Sequence, residues 1–221
     1  MNTKQSANTE GTSGKFSAAF FYFFVLNYSL MIVIGLAGYA GSGKTTVAEY
    51  LKHRYGFETY TFSEVIEREA LKMGLLRETQ SIEEKKHALS YAGRIIRERY
   101  GRRDVFAEII ANEIAEKSLQ KVCVDGFRSV EEVNLFRRRF ENFLLLFVHA
   151  EPRVRYERRK RQDKNMRITF EEFLRRDEED KKVIGMDKMK EMADRIIDNS
   201  NGIEKLRGQI DEIIRSLEGK C

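Results

Sequence analysis

Gly38-Tyr39-Ala40-Gly41-Ser42-Gly43-Lys44-Thr45 decides how this chain is read, and it is entered from the apolar run Met31-Ile32-Val33-Ile34-Gly35-Leu36. The octet satisfies the phosphate-loop pattern G-x-x-x-x-G-K-[ST], which sits between a buried strand and a helix. Both flanks are expected here. The β-branched run reads as the strand, and Thr46-Val47-Ala48-Glu49-Tyr50-Leu51-Lys52 continues as a helix with Val47, Ala48 and Leu51 apolar. Glycines at 38, 41 and 43 allow a tight turn whose N–H groups face a phosphate chain. The helix start adds partial positive charge at the same place. Lys44 is expected to reach the β- and γ-phosphates of a nucleoside triphosphate, and the Thr45 hydroxyl to ligate Mg²⁺. The expected cradle runs from Gly38 through Thr46.

The chain has 221 residues, of which 42% are hydrophobic and 34% charged, enough for one α/β domain with a strongly solvated surface. A net charge of +5 is low for a nucleic-acid binder and natural for a protein that handles polyanionic phosphates. The two cysteines, Cys123 and Cys221, have neither disulfide nor zinc spacing, so a reducing cytoplasm is expected. The three histidines, His53, His87 and His149, lack metal-ligand spacing and read as surface or structural residues.

Residues 1–14 are polar and read as disordered. Phe16 to Leu26 is an apolar run behind Lys15 and could be a signal anchor. Yet Ile32 to Leu36 must lie in the middle of a sheet to present the phosphate loop. That leaves about fifteen residues for a membrane that needs roughly twenty. The expectation is a native start at Met31, with 1–30 an extension outside the fold; no membrane contact is expected of the domain.

Downstream, Tyr60-Thr61-Phe62 is a short strand, Ser63 an N-cap and Glu64 to Met73 a helix closed by Gly74. Residues 77–82 read as a loop. Glu83 to Tyr100 has helical periodicity, and Asp104 caps a helix running to about Leu119. Lys121 to Asp125 is a buried strand, Ser129 caps the helix Val130 to Phe140, and Phe143 to His149 is a further strand. Pro152 opens a basic helix, a loop through Asp163-Lys164-Asn165 leads to a helix over Phe170 to Val183, Arg195 to Asp198 is the last strand, and Ile203 to Leu217 the closing helix. Alternating strands and helices predict a parallel sheet covered on both faces. Residues 31–221 form this domain, with an acceptor-side insertion at about 63–118 and a lid at about 153–183.

Asp125, at the carboxyl end of a buried strand, is expected beside the phosphate loop as the second Mg²⁺ ligand. Its alternative is a turn carboxylate ahead of Gly126. Arg155, Arg158 and Arg159 share one helix face, from which guanidinium groups could close on a transferring phosphoryl group. The alternative is a solvated basic helix. Arg94, Arg97, Arg102 and Arg103 lie between the second and third strands, where forked guanidinium groups suit an acceptor phosphate. Arg137-Arg138-Arg139 reads as helix surface. No Asn-Lys-x-Asp follows the loop, and Gly126 stands where a motor-type ATPase would carry a second acid.

From Met31 onward the chain resembles the nucleoside-monophosphate-kinase branch of phosphate-loop proteins. Ile34-Gly35-Leu36-Ala37-Gly38, Gly41 to Ala48 and Ala193 to Ser200 with Leu206-Arg207-Gly208-Gln209-Ile210 look like dephospho-CoA kinases; Val124-Asp125-Gly126-Phe127-Arg128 looks like adenylate kinases. The whole is most similar to an archaeal family of predicted kinases, through Val65-Ile66, Arg97 with Gly101, Arg128, Glu132-Val133, Phe136-Arg137, Arg155 with Arg158, and Arg176-Asp177. Ser63-Glu64 departs from that family's Gly-Asp, and no dephospho-CoA-kinase acid motif follows the second strand. The resemblance implies a five-stranded sheet in order 2-3-1-4-5. It also implies transfer from Mg-ATP to a small nucleotide-like acceptor, with Lys44, Asp125, Arg128, Arg155 and Arg158 catalytic and Ser63, Arg94, Arg97 and Arg128 on the acceptor. The missing acid and the arginine-rich connection favour a phosphate as the attacking group. Dephospho-CoA kinase and a nucleotide-dependent switch are the alternatives, and a monomer or homodimer is expected.

Overall fold

The computed structural model describes residues 31–76, 82–163 and 166–219; the side chains of residues 82–87 are not described. The readings placed on residues 1–30, 77–81, Lys164, Asn165 and Cys221 lie outside the described residues. Five strands, β1 (Ile32–Ala37), β2 (Glu58–Thr61), β3 (Lys121–Asp125), β4 (Asn142–His149) and β5 (Arg195–Asp198), form one sheet in the order β2-β3-β1-β4-β5. Every neighbouring pair is parallel. The order is the expected one, and the fold is that of phosphate-loop NTPases.

Register explains where the site falls. Leu36 of β1 stands opposite Asp125 of β3, and Thr61 of β2 opposite Asp125 from the other side. The phosphate loop, the β3 carboxylate and the end of β2 thus emerge together at the carboxyl edge.

The period-two alternation of β1 divides the core. Ile32, Ile34 and Leu36 pack with α1 (Lys44–Tyr55) and α9 (Ile203–Glu218), which contribute Val47, Leu51, Leu206, Ile210 and Ile214. Val33 and Ala37 face the other side, covered by α2 (Phe62–Lys72), α3 (Ile82–Tyr100), α4 (Val105–Glu116), α5 (Val130–Arg139) and the short α8 (Met186–Met192). Helices α6 (Pro152–Gln162) and α7 (Phe170–Ile184) lie over the carboxyl edge. Among the described residues no helix is long and apolar enough to cross a membrane.

Several local expectations are corrected. Thr61, not Ser63, caps α2: its extended backbone ends β2 while its hydroxyl accepts from the Glu64 N–H at 3.1 Å. Phe62 is thereby the first helical residue and packs edge-on against Phe127, ring centroids 5.1 Å apart. Asp104 precedes α4 without a side-chain cap bond, because Arg102 claims its carboxylate at 2.6 Å. The helix ends at Glu116, short of Leu119, and Ser118 then takes a left-handed φ of 50°. Helix α8 was not anticipated; its Met186 and Met189, three residues apart, are buried in the core. Arg137, expected as plain surface, donates to the Met192 carbonyl at 2.6 Å and contacts Asp194.

Phe127 is the wedge of the larger core half, with Phe136 and Phe143 centroids at 5.0 and 5.6 Å. Gly35 makes room for it, since a Cβ there would meet the Phe127 ring at 2.7 Å. Phe127→Ala should lower unfolding stability by about 3–5 kcal/mol, read by denaturant titration. A loss under about 1 kcal/mol would show that the aromatic cluster does not carry this layer.

Candidate active site

The loop between β1 and α1 has the geometry of an anion cradle. Gly43 caps α1 at φ 98° without a side-chain bond, and no acidic residue occupies the helix's first turn. The positive end of the helix therefore meets no competing carboxylate from its own sequence. A Cβ on Gly43 would lie 2.1 Å from Asn199 Nδ2, so the loop is tightly held from the β5 side. Lys44 folds back and donates from Nζ to the carbonyls of Gly38 (2.9 Å) and Tyr39 (3.4 Å). Burial pushes the Lys44 ammonium below its ordinary range, and Asp125 opposes that shift. Thr45 is exposed, and Thr46 half-buried, at the mouth. The Tyr39 side chain turns away to stack on Phe147, while Ala40 offers its carbonyl to Arg155.

Asp125 stands beside the loop with one carboxylate oxygen, Oδ1, buried and without a hydrogen-bond partner. Burial raises its pKa, against the pull of Lys44 and Arg128. The turn that follows is braced from beneath by Glu132, fully buried on α5. Glu132 accepts from the N–H groups of Arg128 (2.8 Å) and Ser129 (3.1 Å) and from Arg97 Nη2 (3.2 Å). Ser129 returns the capping bond to the Glu132 N–H at 3.2 Å, the expected cap completed as a reciprocal box. This bracing aims the exposed Arg128 at the mouth, where its charge acts on Lys44, Asp125 and Asp180.

Helix α6 supplies two arginines with different duties. Arg155, expected at the transferring phosphoryl group, is buried and fully engaged. Its Nη1 donates to Asp177 Oδ1 at 3.0 Å and to the Ala40 carbonyl at 3.3 Å, its Nη2 to Asp177 Oδ2, and its Nε to the Ala150 carbonyl at 3.0 Å. Its plane lies between the rings of Tyr39 and Phe173, at 5.0 and 5.2 Å. It is the bolt that fastens α6 and α7 to the loop, because an unpaired buried guanidinium would be too costly to keep there. Arg158 does face the site. Its Nη2 donates to the Asn199 carbonyl at 2.8 Å, and its Nη1 is buried with no partner. Asn199 in turn donates from Nδ2 to the Ser42 carbonyl at 2.8 Å.

Gly41, Gly43, Lys44, Thr45, Asp125 and Arg158 line one cavity of about 320 Å³, together with Arg159, Gln162 and Asn199. An orphaned carboxylate oxygen and an orphaned guanidinium N–H in that cavity fit a metal-bound polyphosphate: the first can accept from metal-bound water, the second can donate to phosphate. Among the described residues no group of three or more His, Cys, Asp or Glu could hold a metal. Mg²⁺ in phosphoryl-transfer sites is held by one or two protein ligands plus phosphate and water, so Thr45 with Asp125 suits it.

The acceptor-side expectations fare differently. Arg97 is tied to Glu132 and lies over the Phe106 ring at 4.9 Å, which makes it a brace and not a free acceptor contact. Arg94 is exposed, paired with Glu98 at 3.3 Å. Ser63 is exposed in the first turn of α2, its hydroxyl 3.0 Å from that of Thr61. Arg103 donates to the Val183 carbonyl at 3.2 Å, across to the end of α7. Sequence reading missed Asn199, Asp177 and Asp180. The first two stood within resemblance motifs but without a role, and Asp180 had no motif to mark it.

Removing one partner of the Arg155–Asp177 pair should cost about 3–5 kcal/mol of stability. A double-mutant cycle of Arg155→Ala and Asp177→Ala checks it, and additive losses would mean the pair does not hold α6 and α7 together. Asn199→Ala should weaken nucleotide binding about tenfold with little change in thermal midpoint, since it frees the Ser42 carbonyl and removes the Asn199 Oδ1 that accepts from Arg158 Nη2 at 3.5 Å, while the backbone carbonyl of residue 199 still holds Arg158. Unchanged affinity in calorimetry would show that the cradle holds without it.

Comparison with known proteins agrees with this fold. The AAA domain family matches residues 37–175. A UPF0200 protein of Methanothermobacter thermautotrophicus is 31% identical over 191 residues, covering 86% of this chain and 93% of that protein. Another, from Pyrococcus abyssi, is 34% identical and covers 84% and 97%. Among solved structures, TT1252 from Thermus thermophilus superposes with a TM-score of 0.59 at 17% identity, covering 85% of this chain and 98% of that one. Shikimate kinase from Acinetobacter baumannii in complex with shikimate gives 0.55 at 18%, covering 87% and 96%. A gluconokinase from Sinorhizobium meliloti gives 0.53 at 13%, covering 86% and 98%. At such identities the structures establish a shared fold; the closer sequence relatives establish kinship, and the chain belongs to the UPF0200 family, with an AAA domain over residues 37–175.

Proposed function

We infer that this protein transfers a phosphoryl group from Mg-ATP to a small, nucleotide-like acceptor in the cytoplasm, as a monomer or homodimer with no nucleic-acid or membrane partner. One observation carries the reading: Asp125 Oδ1 and Arg158 Nη1, both buried and unpartnered, flank Lys44 and Thr45 in a single cavity at a helix N-terminus. A purely structural loop would have no reason to keep an unpaired acceptor and an unpaired donor in one cavity of about 320 Å³.

The residues divide the work. The Gly41–Gly43 backbone and the α1 N-terminus receive the polyphosphate. Lys44 exchanges its two carbonyl bonds, to Gly38 and Tyr39, for phosphate oxygens, so the cation is pre-positioned by weak neutral acceptors. Thr45 and Asp125 would hold Mg²⁺, which supplies charge neutralisation along the phosphates. Arg158 stabilises the equatorial oxygens as charge spreads onto them, and Arg128 meets the acceptor from the opposite side. The shikimate kinase and gluconokinase of this fold, by their names, act on small acceptors; their likeness supports the class of reaction without naming the substrate.

Lys44→Ala should abolish transfer, a loss of at least about a thousandfold, while the thermal midpoint stays within a few degrees. The assay is ADP formation with Mg-ATP and a panel of dephospho-CoA, nucleoside monophosphates, shikimate and gluconate. Acceptor-stimulated turnover supports a kinase. Steady hydrolysis indifferent to every acceptor would instead favour a nucleotide-dependent switch.

A further inference from the structure

A half-buried carboxylate that feels the charges of Lys44 and Arg128 has no part in the transfer as described. Asp180 lies on α7, three residues beyond Asp177, so the two share the helix face that turns toward the phosphate loop. Phe173 and Asp177 of that face are buried, and Asp177 is bolted to Arg155, whose guanidinium also reaches the Ala40 carbonyl. The bolt fixes the azimuth of α7, on which Asp180 is half-buried. Lys44 and Arg128 act on it there, as do its helix neighbours Asp177 and Glu179. The effect is reciprocal: Asp180 figures among the charges felt by Lys44. Among the described residues no hydrogen bond or ion pair engages its oxygens.

We propose that Asp180 is the base for the transfer reaction, and that the acceptor attacks through a hydroxyl. The inference rests on the phosphoryl-transfer reading. A phosphate acceptor is already anionic and gains nothing from a carboxylate beside it; that carboxylate repels it. A hydroxyl must lose a proton as it attacks, which a carboxylate within hydrogen-bond reach accepts. The sequence after β2 carries no dephospho-CoA-kinase acid motif. The fold supplies the acid from α7. In the step, the acceptor O–H gives its proton to Asp180, and the acceptor oxygen bonds the γ-phosphorus. The bond from that phosphorus to the β–γ bridging oxygen breaks, and its electron pair leaves on ADP. Asp180 then releases the proton to solvent. Burial keeps the Asp180 carboxyl above its ordinary range, which suits a proton acceptor working near neutral pH.

The test is Asp180→Asn in the full chain, compared with wild type for ADP formation toward hydroxyl acceptors (dephospho-CoA, shikimate, gluconate, nucleosides) and phosphate acceptors (AMP, CMP). Acceptor-free hydrolysis, in which water is the hydroxyl, is measured as well. Hydroxyl acceptors should be the ones used by wild type, and the variant should lose about a hundredfold or more in kcat on them and on water. KM for ATP, the Mg²⁺ half-saturation and the thermal midpoint should move less than about twofold or a few degrees. Efficient use of AMP or CMP by wild type, unaffected by the variant, overturns the proposal and leaves the kinase reading intact. An equal loss toward every acceptor with a raised Mg²⁺ requirement also overturns it, because Asp180 would then serve the donor. Wild-type hydrolysis that no acceptor changes removes the kinase reading and this proposal together.

Discussion

Positive charge gathered in a partly dry pocket is the constraint on which this structure turns. A helix N-terminus, Lys44 and Arg158 line one cavity, and the exposed Arg128 adds its charge from the rim. In a medium of reduced dielectric, like charges repel more strongly than in water. The molecule answers with neutral acceptors and placed carboxylates. Carbonyls of Gly38, Tyr39 and Asn199 take the lysine and arginine donors, while Asp125 and Asp180 balance the charge without closing on it. The donors are therefore held but not neutralised, which is the condition for an anion to displace their partners.

Holding that arrangement requires rigid supports away from the chemistry. Glu132 and Arg97 brace the turn that carries Arg128, and the Phe127 side chain drives that turn into the core between Phe62, Phe136 and Phe143. On the other side, Arg155 and Asp177 join α6 and α7 to the loop through a buried, hydrogen-bonded pair held between two rings. Both supports use an ion pair with a buried carboxylate that would be expensive to leave alone. Charged residues are thus used in two ways: completely satisfied where geometry must be fixed, and left partly unsatisfied where a ligand is to arrive.

Burial separates these two uses, and sequence spacing does not. Arg155 and Arg158 occupy adjacent turns of one basic helix and look alike in the sequence. Arg155 falls on the side facing Tyr39 and Phe173, and Arg158 on the side facing the cavity. Arg97 and Arg128 divide in the same manner, one drawn onto Glu132 and the other exposed at the mouth.

The sequence by itself determined the sheet, the loop and most element positions, because these rest on local causes. β-Branched runs, glycines at three loop positions, Pro152 at a helix start and Ser129 with Glu132 as a capping box all act within a few residues. It also placed Asp125, since a carboxylate ending a buried parallel strand has one place to go. Only the tertiary structure decided which arginines are braces, that Thr61 and not Ser63 starts α2, and that Asn199 reaches Ser42 across 157 positions. It alone brought Asp180 within reach of the Lys44 and Arg128 charges. That placement depends on the azimuth of α7, which a long-range ion pair sets and which no pattern of neighbouring residues encodes.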